Sequence, residues 1–474
     1  MELLFEFGIL TLLLASGASL GYAMGLRGAV LVPAGLAISA VIRVLSYSLL
    51  EIFGQAQLAF LTWLILSIAA LSYGLLRFAR ERQYLLWLGA GALAALIGPL
   101  VTRGLGLRGI PHSDSLWILT LSDLMQRAGD LEIVGGRTAI KRGFSFPMLL
   151  SLGPQGEFLT GLIVVIFIAL CFAIFWAVRQ LAPKLNQRQW LWILLPTFVV
   201  LLTAPIVWRA VLYVNGHTLT AIGVTLASAA VAISVRDEVL SRQNLLLIAL
   251  GLALISTTRP EGVAFAALIA APLISRKWIS RWDVRLIAGS ALMSFGIWMY
   301  VYDGYIPNLI RLYDERFPVA MLIGSFLVGL KIFDWFRFRL VPLAFIGMGA
   351  LLLFVVGTNA AALADDAWAQ LQNMFLGAGF WGTFFVALIP TLIAIGRKGL
   401  STGYQTMLTI AVLMAVGSVV AKLMDGGLFG DPTLGRTGWT DSLNRMWLHV
   451  FGIFLVTAIV GLAERTRQLE RIVH

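Results

Sequence analysis

A chain of 474 residues that is 59% hydrophobic and only 12% charged is not a soluble globular protein, since such proteins keep about 25% charged residues. Its mean hydropathy of +0.89 leaves a polytopic membrane protein as the class. The net charge of +11 is then a question of sidedness rather than of nucleic-acid binding.

Glu2 and Glu6 stand where a cleavable signal peptide carries positive charge, so no such leader is expected. The single Cys171 lies in an apolar run, which excludes a disulfide framework and a thiolate metal site. A span needs about 20 apolar residues, fewer where the bilayer thins. On that rule fifteen spans are predicted, near 6–24, 29–50, 57–76, 84–102, 159–178, 189–207, 217–235, 244–257, 262–275, 286–301, 318–333, 340–357, 375–396, 403–422 and 446–463. Arg43 interrupts the second, and the eighth and ninth are short. The expected fold is an all-α polytopic membrane protein of about 15 transmembrane helices, within a range of 13–15.

Alternate connections, beginning with Arg27 and ending with Arg465, Arg467 and Arg471, hold 21 of the 35 basic residues and 7 of the 24 acidic ones. One side therefore carries +14 and the other −3. The positive-inside bias makes the basic side cytoplasmic. The N-terminus is then outside and the C-terminus inside. No Walker sequence occurs in the short inner loops.

The longest polar interval, 103–158, falls outside. Within it, His112-Ser113-Asp114-Ser115 precedes Leu116, Leu119, Leu124 and Met125, a pattern suited to an amphipathic helix lying on the membrane surface. Asp114 is the candidate general base, able to take a proton from a hydroxyl held within hydrogen-bond reach. A cap on the helix is the competing role. Asp123 and Asp130 are rival carboxylates, and His112 would orient Asp114 or bind phosphate.

Thr258-Arg259-Pro260-Glu261-Gly262 joins the two short apolar runs. Each run of about 14 residues covers roughly 21 Å, short of the roughly 30 Å hydrocarbon core. Arg259 and Glu261 are thus expected at membrane depth, where charged groups are costly and commonly functional. Arg259 would grip a phosphate, or else pair with Glu261 within the turn. Asp441-Ser442-Leu443-Asn444-Arg445 opens the last span. Arg445 is a second phosphate candidate there, with Asp441 as a support or a cap and Trp439 and Trp447 as interfacial anchors. Arg311 is an acceptor or phosphate contact, set among Asp314, Glu315 and Arg316. Asp365-Asp366 reads as an outer-loop pair, able to hold a cation but more simply hydrated. Asn215, His217 and Arg209 line another outer turn.

The acidic residue before a surface helix, Phe144-Ser145-Phe146-Pro147 leading into a span, Asn215-Gly216-His217 and the Arg-Pro-Glu-Gly turn together resemble the GT-C superfamily of polytopic glycosyltransferases. The resemblance covers about residues 84–310, with Asp441–Arg445 a looser match. It implies residues 1–83 as extra N-terminal helices, 84–310 as the core and 311–474 as C-terminal helices. It also implies an extracytoplasmic active site in the plasma (inner) membrane. There an inverting transfer of a sugar would run from a polyprenyl-phosphate donor to a glycan, lipid or protein acceptor of the cell envelope. Asp114 would be the base, with Arg259, Arg445 and His112 at the donor phosphate and Glu261, Asp441, Arg311 and Asp123 in support. No cofactor is expected and a divalent metal is not favoured. The competing functions are a transporter or flippase of lipid-linked glycans, and an O-antigen-type ligase or polymerase using a pyrophosphate-linked donor.

Overall fold

The computed structural model describes residues 2–104, 113–127, 145–153, 158–182, 191, 203–212, 215–259, 261–301, 337–423, 435–438 and 441–473. Among these the regular structure is helical throughout. The helices are α1 Glu2–Ala23, α2 Leu31–Ile52, α3 Ala59–Phe78, α4 Arg82–Pro99, α5 Ser113–Arg127, α6 Ser145–Leu150, α7 Leu162–Leu181 and α8 Pro205–Leu212. They continue as α9 His217–Asp237, α10 Arg242–Thr258, α11 Gly262–Ile274, α12 Arg281–Val301, α13 Leu340–Phe375, α14 Phe384–Ile395, α15 Thr402–Leu423 and α16 Ser442–Val473. Nine helical segments among the described residues are long and apolar enough to cross a membrane, and α10, α11 and α14 are shorter apolar helices. The chain is a multi-pass helical membrane protein.

The predicted span 318–333 lies outside the described residues, as does most of 189–207. The region after residue 340 differs from expectation. In place of a span ending near 357, α13 continues without a break to Phe375. Its 36 residues make it about 54 Å long. Asp365 and Asp366 therefore sit inside a helix rather than in a loop. The predicted span 375–396 is reduced to α14, twelve residues with Pro390 inside it.

The bundle is built around α9, every residue of which from His217 to Val235 is buried. Its sequence explains that position. Ala221, Ala227, Ala229, Ala230 and Ala232 keep the helix narrow, so neighbours approach on all sides. α10, α7, α16, α15 and α11 surround it. The approach of α10 is closest at Gly223 and Gly251, where a Cβ on Gly251 would meet the Gly223 carbonyl oxygen at 2.6 Å. By contrast, α3 buries only Ala59, Trp63, Ser67, Ala70 and Gly74 and presents the rest of its apolar surface outward. An apolar residue in a bilayer meets no penalty for facing lipid, so hydropathy alone does not separate these two environments.

Side-chain ties order the helix ends. Arg103, just past α4, pairs with Glu6 at 2.6 Å and with Glu2 at 2.6 Å. Glu6 also accepts a hydrogen bond from the Gly161 N–H at 2.6 Å. At the opposite end Tyr22 donates to Glu81 while Arg27 stacks 3.6 Å above its ring. There too Arg236 donates to the Gln180 carbonyl at 2.7 Å, and the Ser401 N–H donates to Glu464 at 2.7 Å. Glu2, Arg103, Ser145, His217, Arg259 and Asp441 thus share one end of the helices. Arg27, Glu81, Arg236 and Arg465 share the other.

Candidate functional site

α10 ends where Thr257 and Thr258 turn their hydroxyls back onto the helix. Thr257 Oγ1 donates to the Ala253 carbonyl at 2.9 Å, and Thr258 bonds the Leu254 carbonyl. Arg259 then adopts an extended backbone, with φ −148° and ψ 143°, which stops the helix. Its Nε donates to Glu261 Oε1 at 2.9 Å, both side chains being less than one-fifth exposed. Gly262 starts α11 directly beneath, where a side chain would run into the Ile255 carbonyl. A residue with a Cβ would open this turn and separate the two short helices.

α9 begins beside it. The Asn215 carboxamide oxygen accepts the His217 N–H at 2.9 Å, and its nitrogen donates to the Ala210 carbonyl at 3.3 Å, joining α8 to α9. The His217 ring meets His449 of α16, Nδ1 to Nε2, at 2.7 Å. Both rings are buried. Phe265 of α11 closes the far side of His449 edge-on, with ring centres 6.2 Å apart. The positive fields of Arg259 and Arg445 both reach His449. The two imidazoles therefore meet where α9, α11 and α16 come together, within the fields of Arg259 and Arg445.

α16 owes its placement to Asp441. That carboxylate caps the helix by accepting the Asn444 N–H at 2.9 Å. It also accepts from Gln370 at 2.7 Å and Asn373 at 3.0 Å, both on α13, and from Lys422 of α15. Lys422 contacts Asp366 as well, at 2.5 Å, and all three side chains are at most 3% exposed. Asn444 adds a bond from the Trp381 indole at 2.7 Å. Arg445 and His449 follow one and two turns later on the same face of α16. Asp366, read from sequence as one of a hydrated pair, is thus a buried ion partner, while Asp365 beside it is exposed. Trp447 is buried, its ring centre 5.9 Å from that of Phe385, rather than standing at an interface.

Asp114 falls in the first turn of α5, but its side chain lies outside the described residues, as do His112, Arg311, Asp130 and Trp439. α5 packs on α6. Gln126 donates to the Gly153 carbonyl at 2.5 Å, and Ile118, Leu121 and Met125 are buried while Leu116 is exposed. The buried face is therefore offset from the predicted stripe. α6 in turn holds α10, through Ser145 and Thr257 hydroxyls 2.6 Å apart, two residues before Arg259. The helix that carries Asp114 is tied by this route to the end of α10. Asp123 pairs with Arg127 one turn on, at 2.9 Å, and is not drawn to Arg259. Arg209 lies over the Phe380 ring at 5.9 Å.

His449 was not singled out from sequence. The available signal was its spacing from Arg445, since positions four apart share a helix face. Among the described residues no group of three or more His, Cys, Asp or Glu is close enough to hold a metal ion. An apolar cleft of about 480 Å³ runs along α11 from Val263, lined also by Ala266, Ala270, Ile287, Ala291 and Leu343. No protein-family model matches the chain, and neither a curated protein nor a solved structure matches it.

Proposed function

We propose that the protein is an inverting membrane glycosyltransferase. It takes a sugar from a polyprenyl-phosphate donor and passes it to a cell-envelope acceptor on the extracytoplasmic side of the plasma membrane. The observation that carries this reading is the buried His217–His449 pair, within the fields of Arg259 and Arg445, at the helix end to which α5 is tied. Two guanidinium groups at membrane depth suit a phosphate whose charge grows as the sugar leaves. The cleft along α11 begins next to the Arg259–Glu261 turn and is apolar, which suits a prenyl chain whose phosphate rests on Arg259.

In this mechanism Asp114 removes the proton of the acceptor hydroxyl as that oxygen attacks the anomeric carbon. The bond from that carbon to the phosphate oxygen breaks, and the lipid phosphate departs as an anion held by Arg259 and Arg445. Glu261 pairs with Arg259 within the turn until an anion replaces it, and Asp441 sets the register of Arg445. The resemblance to GT-C enzymes supports this assignment of roles, and its core of about residues 84–310 includes every one of them but Arg445 and Asp441.

Purified protein supplied with a polyprenyl-phosphate sugar tests the proposal. Asp114→Asn and Arg259→Gln are each expected to reduce transfer at least 100-fold while leaving the thermal midpoint near that of the wild type. Full transfer by Asp114→Asn would remove that residue from its role. Full transfer by both would remove the reading.

A transporter of lipid-linked glycans is favoured by one feature, the buried charge group of Asp366, Lys422 and Asp441. Membrane-buried ionisable residues often mark a proton or ion path. Proteoliposomes that flip the lipid without sugar transfer would establish that function instead.

A further inference from the structure

The apolar cleft along α11 has two ends. Val263, next to the Arg259–Glu261 turn, marks one. The other lies eleven residues on, about 16 Å along the axis, at Ile274. This second end belongs to the basic end of the bundle. Gln243, at the start of α10, donates to the Gly25 carbonyl two residues before Arg27, and α11 runs back along α10 to finish there. The positive-inside bias assigns this end to the cytoplasm. Ala270, Ala271, Ile274, Ile287, Ala288 and Leu340 line it. The cleft opens to the surroundings of the bundle, since Ala267 and Leu343 on its walls are both exposed.

Cations flank these lining residues. Arg276 and Lys277 follow Ile274, Arg281 opens α12, and Arg285 precedes Ile287 by two residues. Arg337 and Arg339 belong to the short turn Arg337–Arg339 that leads into α13 at Leu340 and packs on α11. Residues 275–287 and 337–340 thus hold six cations against one acid, Asp283, which accepts the Ser280 hydroxyl at 2.7 Å. Arg276, Lys277 and Arg339 are exposed. Trp282 is 70% exposed, and Arg285 lies 4.7 Å from its ring centre. An exposed tryptophan beside arginines suits the level of lipid headgroups. The positive-inside bias accounts for basic residues at this end of the helices, but not for six of them beside the end of an open apolar cleft.

We propose that the inner end of this cleft binds an anionic phospholipid of the cytoplasmic leaflet. Its phosphate sits among the cations that follow Ile274 and precede Leu340, and one acyl chain lies along Ala270, Ile274 and Ala288. Basic pockets between membrane helices on the cytoplasmic side are suited to such headgroups. The volume of about 480 Å³ equals about sixteen waters at ~30 Å³ each, which suits a single chain. The alanines on α11 and α12 leave the slot open where larger side chains would fill it. The inference does not rest on the function proposed above: the donor's prenyl chain enters at the Val263 end, and the phospholipid enters at the opposite one.

The test uses purified full-length protein in detergent, with dioleoyl phosphatidylglycerol and dioleoyl phosphatidylcholine as probes of equal chain length. Wild type is expected to bind the anionic lipid at least tenfold more tightly, and equal binding of the two would overturn the proposal. The triple variant Arg276→Gln, Lys277→Gln, Arg339→Gln changes only exposed side chains and is expected to lose that preference. A preference kept in full would overturn the headgroup site. Ala288→Phe fills the inner end of the cleft and is expected to weaken phosphatidylglycerol at least tenfold. Wild-type affinity there would mean that the lipid lies on the surface, and would overturn the cleft as its site. Should Ala288→Phe not fold, the triple variant decides. Arg259→Gln is expected to weaken farnesyl phosphate, a short prenyl probe, and to bind phosphatidylglycerol as wild type does. Weakened phosphatidylglycerol would place the headgroup at the other end and overturn the proposal. Unchanged farnesyl phosphate with unchanged phosphatidylglycerol would count against the function proposed above and support a separate phospholipid site.

Discussion

The rings of His217 and His449, 232 positions apart in the chain, meet through Nδ1 and Nε2 at 2.7 Å in a buried contact. One ring must donate and the other accept, so their tautomers are coupled. The contact joins the first turn of α9 to the second turn of α16. It holds the central helix of the bundle to the helix that carries Arg445.

Removing one ring of the pair is expected to be worse than removing both. His449→Phe leaves His217 Nδ1 buried without its partner, which costs about 1–3 kcal/mol. The double variant with His217→Phe should recover part of that loss, since neither nitrogen of the contact is then left without the other. Thermal unfolding of the four proteins measures the coupling. Simple addition of the two single effects would mean the rings do not act as a pair.

Lys422→Met is expected to be among the most destabilising single changes, by about 3–5 kcal/mol, because it strands two buried carboxylates without their cation. Asp366→Asn should cost less, since Lys422 keeps Asp441. Lys422→Arg should retain part of the stability. Fluorescence-detected size exclusion after heating ranks these proteins. A Lys422→Met protein as stable as wild type would show that the charges are not buried as described.

Glu261→Gln is expected to leave the fold intact, with a change within about 1 kcal/mol, as the pair it breaks is partly open to solvent. Its effect on binding has the opposite sign to that of Arg259→Gln. Freed from its carboxylate, Arg259 offers a full charge to an anion, so affinity for farnesyl phosphate should rise several-fold. Titration of the two variants side by side checks this. Weaker binding by Glu261→Gln would mean that Glu261 orients Arg259 more than it competes for it.

Gly262→Ala is expected to destabilise by about 1–3 kcal/mol, because the new methyl meets a backbone carbonyl rather than a movable side chain. The same change displaces the Arg259–Glu261 turn, so transfer should fall more than stability does. Gly289→Ala is the control, since a Cβ there meets nothing within 4 Å. Equal effects at the two positions would contradict the close approach of α10 and α11.

What could be read from the chain itself is what depends on neighbours in sequence. The membrane class follows from apolar runs of bilayer length, and α1 to α4, α7, α9 and α15 lie within a few residues of the predicted spans. The Arg259–Glu261 pair and the Asp441 cap are legible there too, because each joins groups at most three residues apart. Only the tertiary structure decided that α9 is central while α3 is peripheral, for in a bilayer both lipid and protein accept apolar side chains. It alone brought Lys422 to Asp366 and Asp441, and His449 to His217. Such pairs form because a polar group buried at membrane depth must find its partner wherever the packing of helices supplies one, and packing carries no trace in local spacing.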